Sequence, residues 1–198
     1  VDWSISFPGV TPNTYTDFNN MLMALPSEGT VYGITTLCPG TSNYASSEAG
    51  VPGFTFSWTA GTVGGETPTI ATSTLSATNI TFPNNDVVNK VYPVYLQINS
   101  GCCGNLPLIT YNVTVYPDPN APTVAGSPYS NCIGGSQTLS VSAPDPVAGY
   151  NYNWYNAASG GTLYGAGSNY IVNPVLTGAT SYYAEAIDAN GCKSPTRT

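Results

Sequence analysis

The sequence contains no histidine and only three basic residues, Lys90, Lys193 and Arg197. Without histidine there is no Ser-His-Asp triad, no Cys-His dyad and no Cys/His zinc site. Three cations cannot build the basic patch that displaces counterions from phosphates, so nucleic acid is not expected as a partner. Anionic membrane surfaces are disfavoured for the same reason. Charged residues make up 7% of the chain, against roughly 25% in an average soluble domain, and the net charge is −7. No apolar run reaches the roughly 18 residues that span a bilayer, so no membrane insertion is expected. Val1-Asp2-Trp3-Ser4 has neither the basic start nor the apolar stretch of a signal peptide, which reads as a mature or excised chain.

The ten acidic residues are equally unpromising for chemistry. Asp118, Asp145 and Asp188 sit beside Pro or near Gly, where Asp serves turns. A glycosidase needs two carboxylates held about 5–10 Å apart in a cleft, and nothing in the pattern singles out such a pair. Calcium at Asp118 would need about six to eight oxygens, and no Asp-x-Asp cluster accompanies it. The expectation is a chain with no catalytic residues, no metal and no cofactor.

What the chain does have is a pattern that occurs twice. Cys-x-Gly opens it at Cys38-Pro39-Gly40 and again at Cys132-Ile133-Gly134. An aromatic strand with a central Trp follows, with Phe54, Phe56 and Trp58 in one copy and Tyr150, Tyr152 and Trp154 in the other. Gly101-Cys102 and Gly191-Cys192 close it at nearly equal intervals. Such repetition implies tandem domains of similar design. Hydrophobic residues at 41% and aromatics at 12% suffice for two modest cores.

The alternation of apolar and polar residues implies an all-β chain of two tandem β-sandwiches. We expect an N-terminal segment over 1–30, a first sandwich over 31–117, a linker over 118–122 and a second sandwich over 123–198. In the first, Val31–Thr36, Phe54–Trp58, Thr69–Phe82, Tyr92–Ile98 and Ile109–Val115 are strand candidates, and Pro93 argues for an edge or a bulge. In the second, the candidates are Leu139–Val141, Tyr150–Trp154, Thr162–Tyr164, Asn169–Val175 and Ser181–Ile187. Lys193–Thr198 is barely long enough for the further strand such a sandwich needs, so that strand is expected to be cut short. The only helical spacing is over Asp17–Leu25. The linker, with Pro117, Pro119 and Pro122, reads as a semi-rigid extended spacer.

Five cysteines in small β domains favour an oxidising compartment. In the second domain only Cys132 and Cys192 are present, so they are expected to pair. In the first, Cys38 can pair with Cys102 or Cys103, and a vicinal Cys102–Cys103 ring is a third option. Aligning Gly101-Cys102 with Gly191-Cys192 favours Cys38–Cys102 and leaves Cys103 unpaired. Trp58 and Trp154 are expected as core plugs, as a strand Trp between paired cysteines usually is in an immunoglobulin-like sandwich. Tyr155, Tyr164 and Tyr170 admit two readings, an aromatic platform for glycans or cross-strand packing, with packing favoured. The sequons at Asn79 and Asn112 fall in strand-like runs and read as chance.

Thr36–Pro119 resembles the PKD-like domains of Bacteroidetes surface proteins. The likeness lies in Leu37-Cys38-Pro39-Gly40, Phe54-Thr55-Phe56-Ser57-Trp58-Thr59-Ala60, Gly101-Cys102-Cys103-Gly104 and Val113-Thr114-Val115-Tyr116-Pro117. Pro122–Thr196 resembles the immunoglobulin-like domain of very long secreted proteins in Cytophaga and Flavobacterium relatives. Here it lies in Cys132-x-Gly, Tyr152-Asn153-Trp154-Tyr155, Gly160-Gly161-Thr162, Ser181–Ala186 and Gly191-Cys192-Lys193-Ser194-Pro195. The resemblance implies a non-catalytic module of an extracellular, cell-surface adhesin stalk, exported by type IX secretion and in some relatives serving gliding motility. It implies neighbouring domains of the same long chain as partners, with surface glycans as a further possibility. The alternative is a carbohydrate-binding accessory module of a secreted polysaccharide-degrading enzyme. Strand exchange between neighbouring modules is a further variant, against which a monomeric tandem array is expected.

Overall fold

The computed structural model describes residues 29–101, 104–124, 126–130, 134–143, 149–172 and 178–198. Among these residues every helix or strand assigned is a strand. The helical candidate Asp17–Leu25 lies outside them.

Among the described residues, eight strands build the first sandwich: β1 (Val31–Tyr32), β2 (Thr36–Leu37), β3 (Gly40–Ser46), β4 (Thr55–Ala60), β5 (Thr69–Ile70), β6 (Ala77–Phe82), β7 (Lys90–Asn99) and β8 (Ile109–Val115). They form two four-stranded sheets, ordered β1-β3-β6-β5 and β2-β8-β7-β4. Period-two alternation decides the inner faces. Strand β7 buries Lys90, Tyr92, Val94, Leu96 and Ile98 and turns the intervening side chains outward. Tyr44, Trp58, Ile80, Phe82, Val113 and Val115 complete one core.

The run Val31–Thr36 is two strands rather than one. Strand β1 pairs antiparallel with β3, whereas β2 pairs parallel with β8 in the other sheet. The chain must therefore cross between sheets at Gly33-Ile34-Thr35. Gly33 makes the crossing over the face of Tyr44, where an added Cβ would stand 2.2 Å from the ring. The Tyr44 hydroxyl donates to the Ile34 carbonyl at 3.0 Å, and the Tyr111 hydroxyl donates to the Gly33 carbonyl. Both carbonyls freed by the switch thus find partners.

Pro93 is not on an edge strand, because β7 lies between β4 and β8. Its backbone faces the β4 side, where the ladder ends at the Ala60–Val94 pair. Gly61 N–H still donates to Pro93 O at 2.8 Å. The donor that proline lacks would face the Gly61 carbonyl, so the cost is one bond at the very end of the β4 ladder.

The second sandwich holds β9 (Thr123–Val124), β10 (Gln137–Ser142), β11 (Asn151–Tyr155), β12 (Leu163–Ala166), β13 (Asn169–Val172) and β14 (Tyr183–Ile187). Its sheets are β13-β10-β9 and β12-β11-β14. Leu139, Val141, Tyr152, Trp154, Val172, Ala184 and Ala186 form its core. The two sandwiches differ in design. The short fifth strand of the first extends the β3–β6 sheet, whereas β12 of the second joins the sheet of β11 and β14.

After β14 the chain turns at Asp188–Cys192 and runs back along that strand. Ile187 bridges Lys193, Ser194 N–H donates to Ala186 O at 2.9 Å, and Ala184 and Thr198 exchange two bonds of 2.8 and 3.0 Å. Lys193–Thr198 thereby takes the place next to β14 that a further strand would fill. Between Ser194 and Thr198 the chain bulges, and Arg197 lies across the Tyr155 ring, 3.4 Å from its centroid.

Replacing Gly33 by Ala forces a methyl group into the buried Tyr44 ring. The expected loss is about 1–3 kcal/mol, the usual range for overpacking. Urea unfolding monitored by tyrosine and tryptophan fluorescence measures it, and an unchanged midpoint would show that the crossing has slack.

Candidate functional site

The feature that sets this molecule apart is the junction between the sandwiches. Strand β2 ends at Leu37, whose carbonyl accepts from Tyr116 N–H at 2.9 Å just beyond the end of β8. Cys38 follows directly. Across the junction, the turn after β14 is tied by Asp188, whose Oδ1 accepts from the N–H groups of Asn190 at 2.9 Å and Cys192 at 2.8 Å. Gly191 takes the left-handed φ of 86° that this turn requires. Cys38 and Cys192 are joined in a disulfide, with Cα atoms 5.4 Å apart and a sequence separation of 154. The linker passes alongside. Pro119 and Pro122 are buried, and Thr198 Oγ1 donates to Pro122 O at 2.7 Å.

This pairing corrects the expectation of one disulfide per domain. Cys38 bonds neither Cys102 nor Cys103, and Cys192 does not bond Cys132. The reason is topological. Cys38 sits where β2 meets Val115, the far end of β8. Gly101 and Gly104 sit in the β7–β8 turn, closed by Ser100 N–H donating to Gly104 O at 3.0 Å, at the opposite pole. Seven residues of β8 separate the poles, a span of about 20 Å at ~3.3 Å per residue. A disulfide needs Cα atoms within about 7 Å. Cys102, Cys103 and Cys132 themselves lie outside the described residues.

The Asp118 carboxylate and the two sulfurs lie within 4.8 Å of one another. While the sulfurs are bonded to each other they offer no thiolate to a metal, and one carboxylate does not make a calcium site. Burial, and then the charge of Asp188, push the Asp118 carboxyl above its ordinary value.

Trp58 and Trp154 are each 1% exposed. Their indole N–H groups donate to Leu75 O at 2.8 Å and Gly167 O at 2.9 Å, so each ring is pinned to a backbone carbonyl rather than turned to solvent. The three tyrosines considered as a platform separate. Tyr155 is buried beneath Arg197, and its hydroxyl donates to Glu185 at 3.2 Å. Tyr164 and Tyr170 do stack, at 6.2 Å and 8°. Tyr182, which sequence reasoning did not single out, joins both at 5.7 and 5.8 Å, and Tyr170 leans on Trp154 at 6.0 Å. The cluster is thus continuous with the core. A cleft of about 860 Å³ opens beside it, with Tyr182, Leu139, Trp154, Val172 and Gln137 in its walls.

All three basic side chains are engaged. Lys90, 4% exposed, contacts Glu66 at 2.7 Å and Asp86 at 2.8 Å. Lys193 and Arg197 both reach Glu185, at 3.3 Å each. Arg197 also donates to the carbonyls of Ala157 and Gly160, which moors the last segment across the sandwich. The hydrogen bond from Lys90, with others from Asn85 and Tyr92, holds the Glu66 carboxyl down to about 2. Asp86 and then Glu66 raise the Lys90 ammonium above its ordinary range.

These features define the class: an all-β chain of two immunoglobulin-like sandwiches in tandem. Residues 119–198 match the family model described as "Ig-like domain CHU_C associated". No curated protein matches the chain. Among solved structures, the fibronectin(III)-like modules of Clostridium thermocellum CbhA align at 13% identity and a TM-score of 0.44, over 84% of this chain and 90% of theirs. A chain from the crystal structure of the mouse coronavirus receptor-binding domain complexed with its murine receptor aligns at 13% and 0.37, over 86% of this chain and 98% of that one. The YadV chaperone aligns at 12% and 0.36, over 86% and 99%. Likenesses this loose do not bear on function.

Two measurements follow from the geometry. Proteolysis under non-reducing conditions should yield one cross-linked peptide carrying Cys38 and Cys192, lost on reduction. A peptide joining Cys38 to Cys102 or Cys103 would contradict the junction. The Glu66 shift also has a sign. A carboxyl held below its ordinary 4.5 contributes stability that is complete above that value and fades as pH falls toward about 2. The raised Lys90 contributes below its ordinary 10.5 and loses that contribution only in stronger alkali. Glu66→Gln should therefore flatten the acid limb of a stability-versus-pH curve from denaturant titrations. Parallel acid limbs would remove Glu66 from the account.

Proposed function

We propose that this chain is a non-catalytic, rigid spacer of a secreted cell-surface adhesin, part of a stalk or filament that holds a distal binding region away from the cell. In this reading 31–117 and 123–198 are the modules, 118–122 is the linker and neighbouring domains of the same chain are the partners. The observation that carries it is the disulfide between the sandwiches. An enzyme gains nothing obvious from welding two modules at their junction, whereas a load-bearing strut does. The linker alone leaves the modules free to bend. The linker and the Cys38–Cys192 bond together leave a closed ring at the hinge. The likeness of residues 119–198 to the CHU_C-associated Ig-like family supports an extracellular setting, as does the disulfide itself. Support of adhesion or gliding, and export by type IX secretion, belong to the same proposal.

Rigidity is the test. Spin labels placed one on each sandwich should give a narrow distance distribution by pulsed electron resonance. Cys38→Ser with Cys192→Ser should broaden it while each sandwich stays folded. Equal widths in the two proteins would defeat the strut. Antibodies against the folded chain should also label intact cells of the source organism. Labelling that needs permeabilised cells would defeat the surface assignment.

A further inference from the structure

We infer that Asp118 shields the Cys38–Cys192 bond from thiol exchange. This goes beyond the strut reading, since it concerns only the chemistry of the bond and holds whatever the parent protein attaches to.

In exchange, a thiolate attacks one sulfur, a new S–S bond forms to it, and the old bond's electron pair leaves on the other sulfur as a thiolate. Cys192 has no exposed surface and Cys38 is half-buried. A small external thiolate therefore meets Cys38 Sγ, and Cys192 is the leaving group. The Asp118 carboxylate lies within 4.8 Å of both sulfurs. Its charge acts at both ends of the reaction. It repels the incoming thiolate at Cys38, and it opposes the negative charge that develops on the buried Cys192 sulfur, raising the pKa of the leaving thiol. A leaving thiol of higher pKa departs more slowly.

The surroundings do not cancel this. Lys193, the cation next to Cys192 in the chain, is engaged by Glu185 at 3.3 Å. Asp188, the other acid at the junction, adds charge of the same sign, with Oδ1 turned to the Cys192 N–H at 2.8 Å. The half-buried Asp118 is an uncomfortable place for a charge, as its raised pKa indicates. Replacing it by Asn removes that discomfort, so the variant is expected to fold.

The experiment uses the whole oxidised chain and follows release of Cys38 and Cys192 by alkylation and peptide mass spectrometry. Three small thiols serve as probes at matched thiolate concentration: cysteamine, 2-mercaptoethanol and 2-mercaptoethanesulfonate, whose second groups are cationic, neutral and anionic. In Asp118→Asn reduction should speed up with all three, on the order of tenfold with the anionic thiol and least with cysteamine. Asp118→Glu, which keeps the charge, should stay close to the parent. Equal rates in Asp118→Asn and the parent would overturn the inference. So would an acceleration of the same factor for all three thiols, because a junction merely loosened by the substitution admits every thiol alike.

Discussion

A single covalent bond, placed at the junction of two bodies rather than inside either, governs how the rest of this molecule can behave. Cys38 and Cys192 are 154 residues apart in the chain, yet the linker already brings their sandwiches together. The bond adds a second connection beside the first. Two connections at separate points constrain bending and twisting more than one does. The details around it serve that end: a sheet switch at Gly33 that delivers β2 to the pole, a turn built on Asp188 and Gly191, and buried prolines in the linker.

Within each sandwich, stability comes from aromatics anchored by their polar ends. Trp58 and Trp154 fill their cores while donating to loop carbonyls, and Tyr44 does the same for the crossing at Ile34. This solves a difficulty of small domains, where large side chains are needed for apolar area but polar atoms cannot go unpaired. No buried side-chain polar atom among the described residues lacks a partner.

The strands with clear alternation were legible in the sequence, as β7 and β8 illustrate, because burial on one face writes itself directly into every second residue. So were Trp58 and Trp154 as strand-borne aromatics. The disulfide was not legible, because the repeat suggests that each copy closes on itself. Only the topology reveals that Cys38 and the β7–β8 turn occupy opposite poles. Pro93 misled for a related reason, since an interior strand tolerates a missing donor at the end of a ladder, and opposite Pro93 only Gly61 remains of the β4 side. Tyr155 was grouped with Tyr164 and Tyr170 by composition, yet its fate is decided by Arg197, a residue brought over it by the bulge in the last segment. Long-range pairings of this kind leave no local periodic trace.

The engagement of every lysine and arginine has a consequence for modules set in series. With Lys90, Lys193 and Arg197 each bound to acids of the same chain and a net charge of −7, the charge left over for the outside world is of one sign. Strung end to end, such modules would form a sparse polyanion, with every basic side chain already paired to an acid of its own unit. At separations within about 8–10 Å, the screening length at physiological salt, their surfaces push apart. Repulsion of one sign would then extend a row of such modules beyond what its joints alone impose.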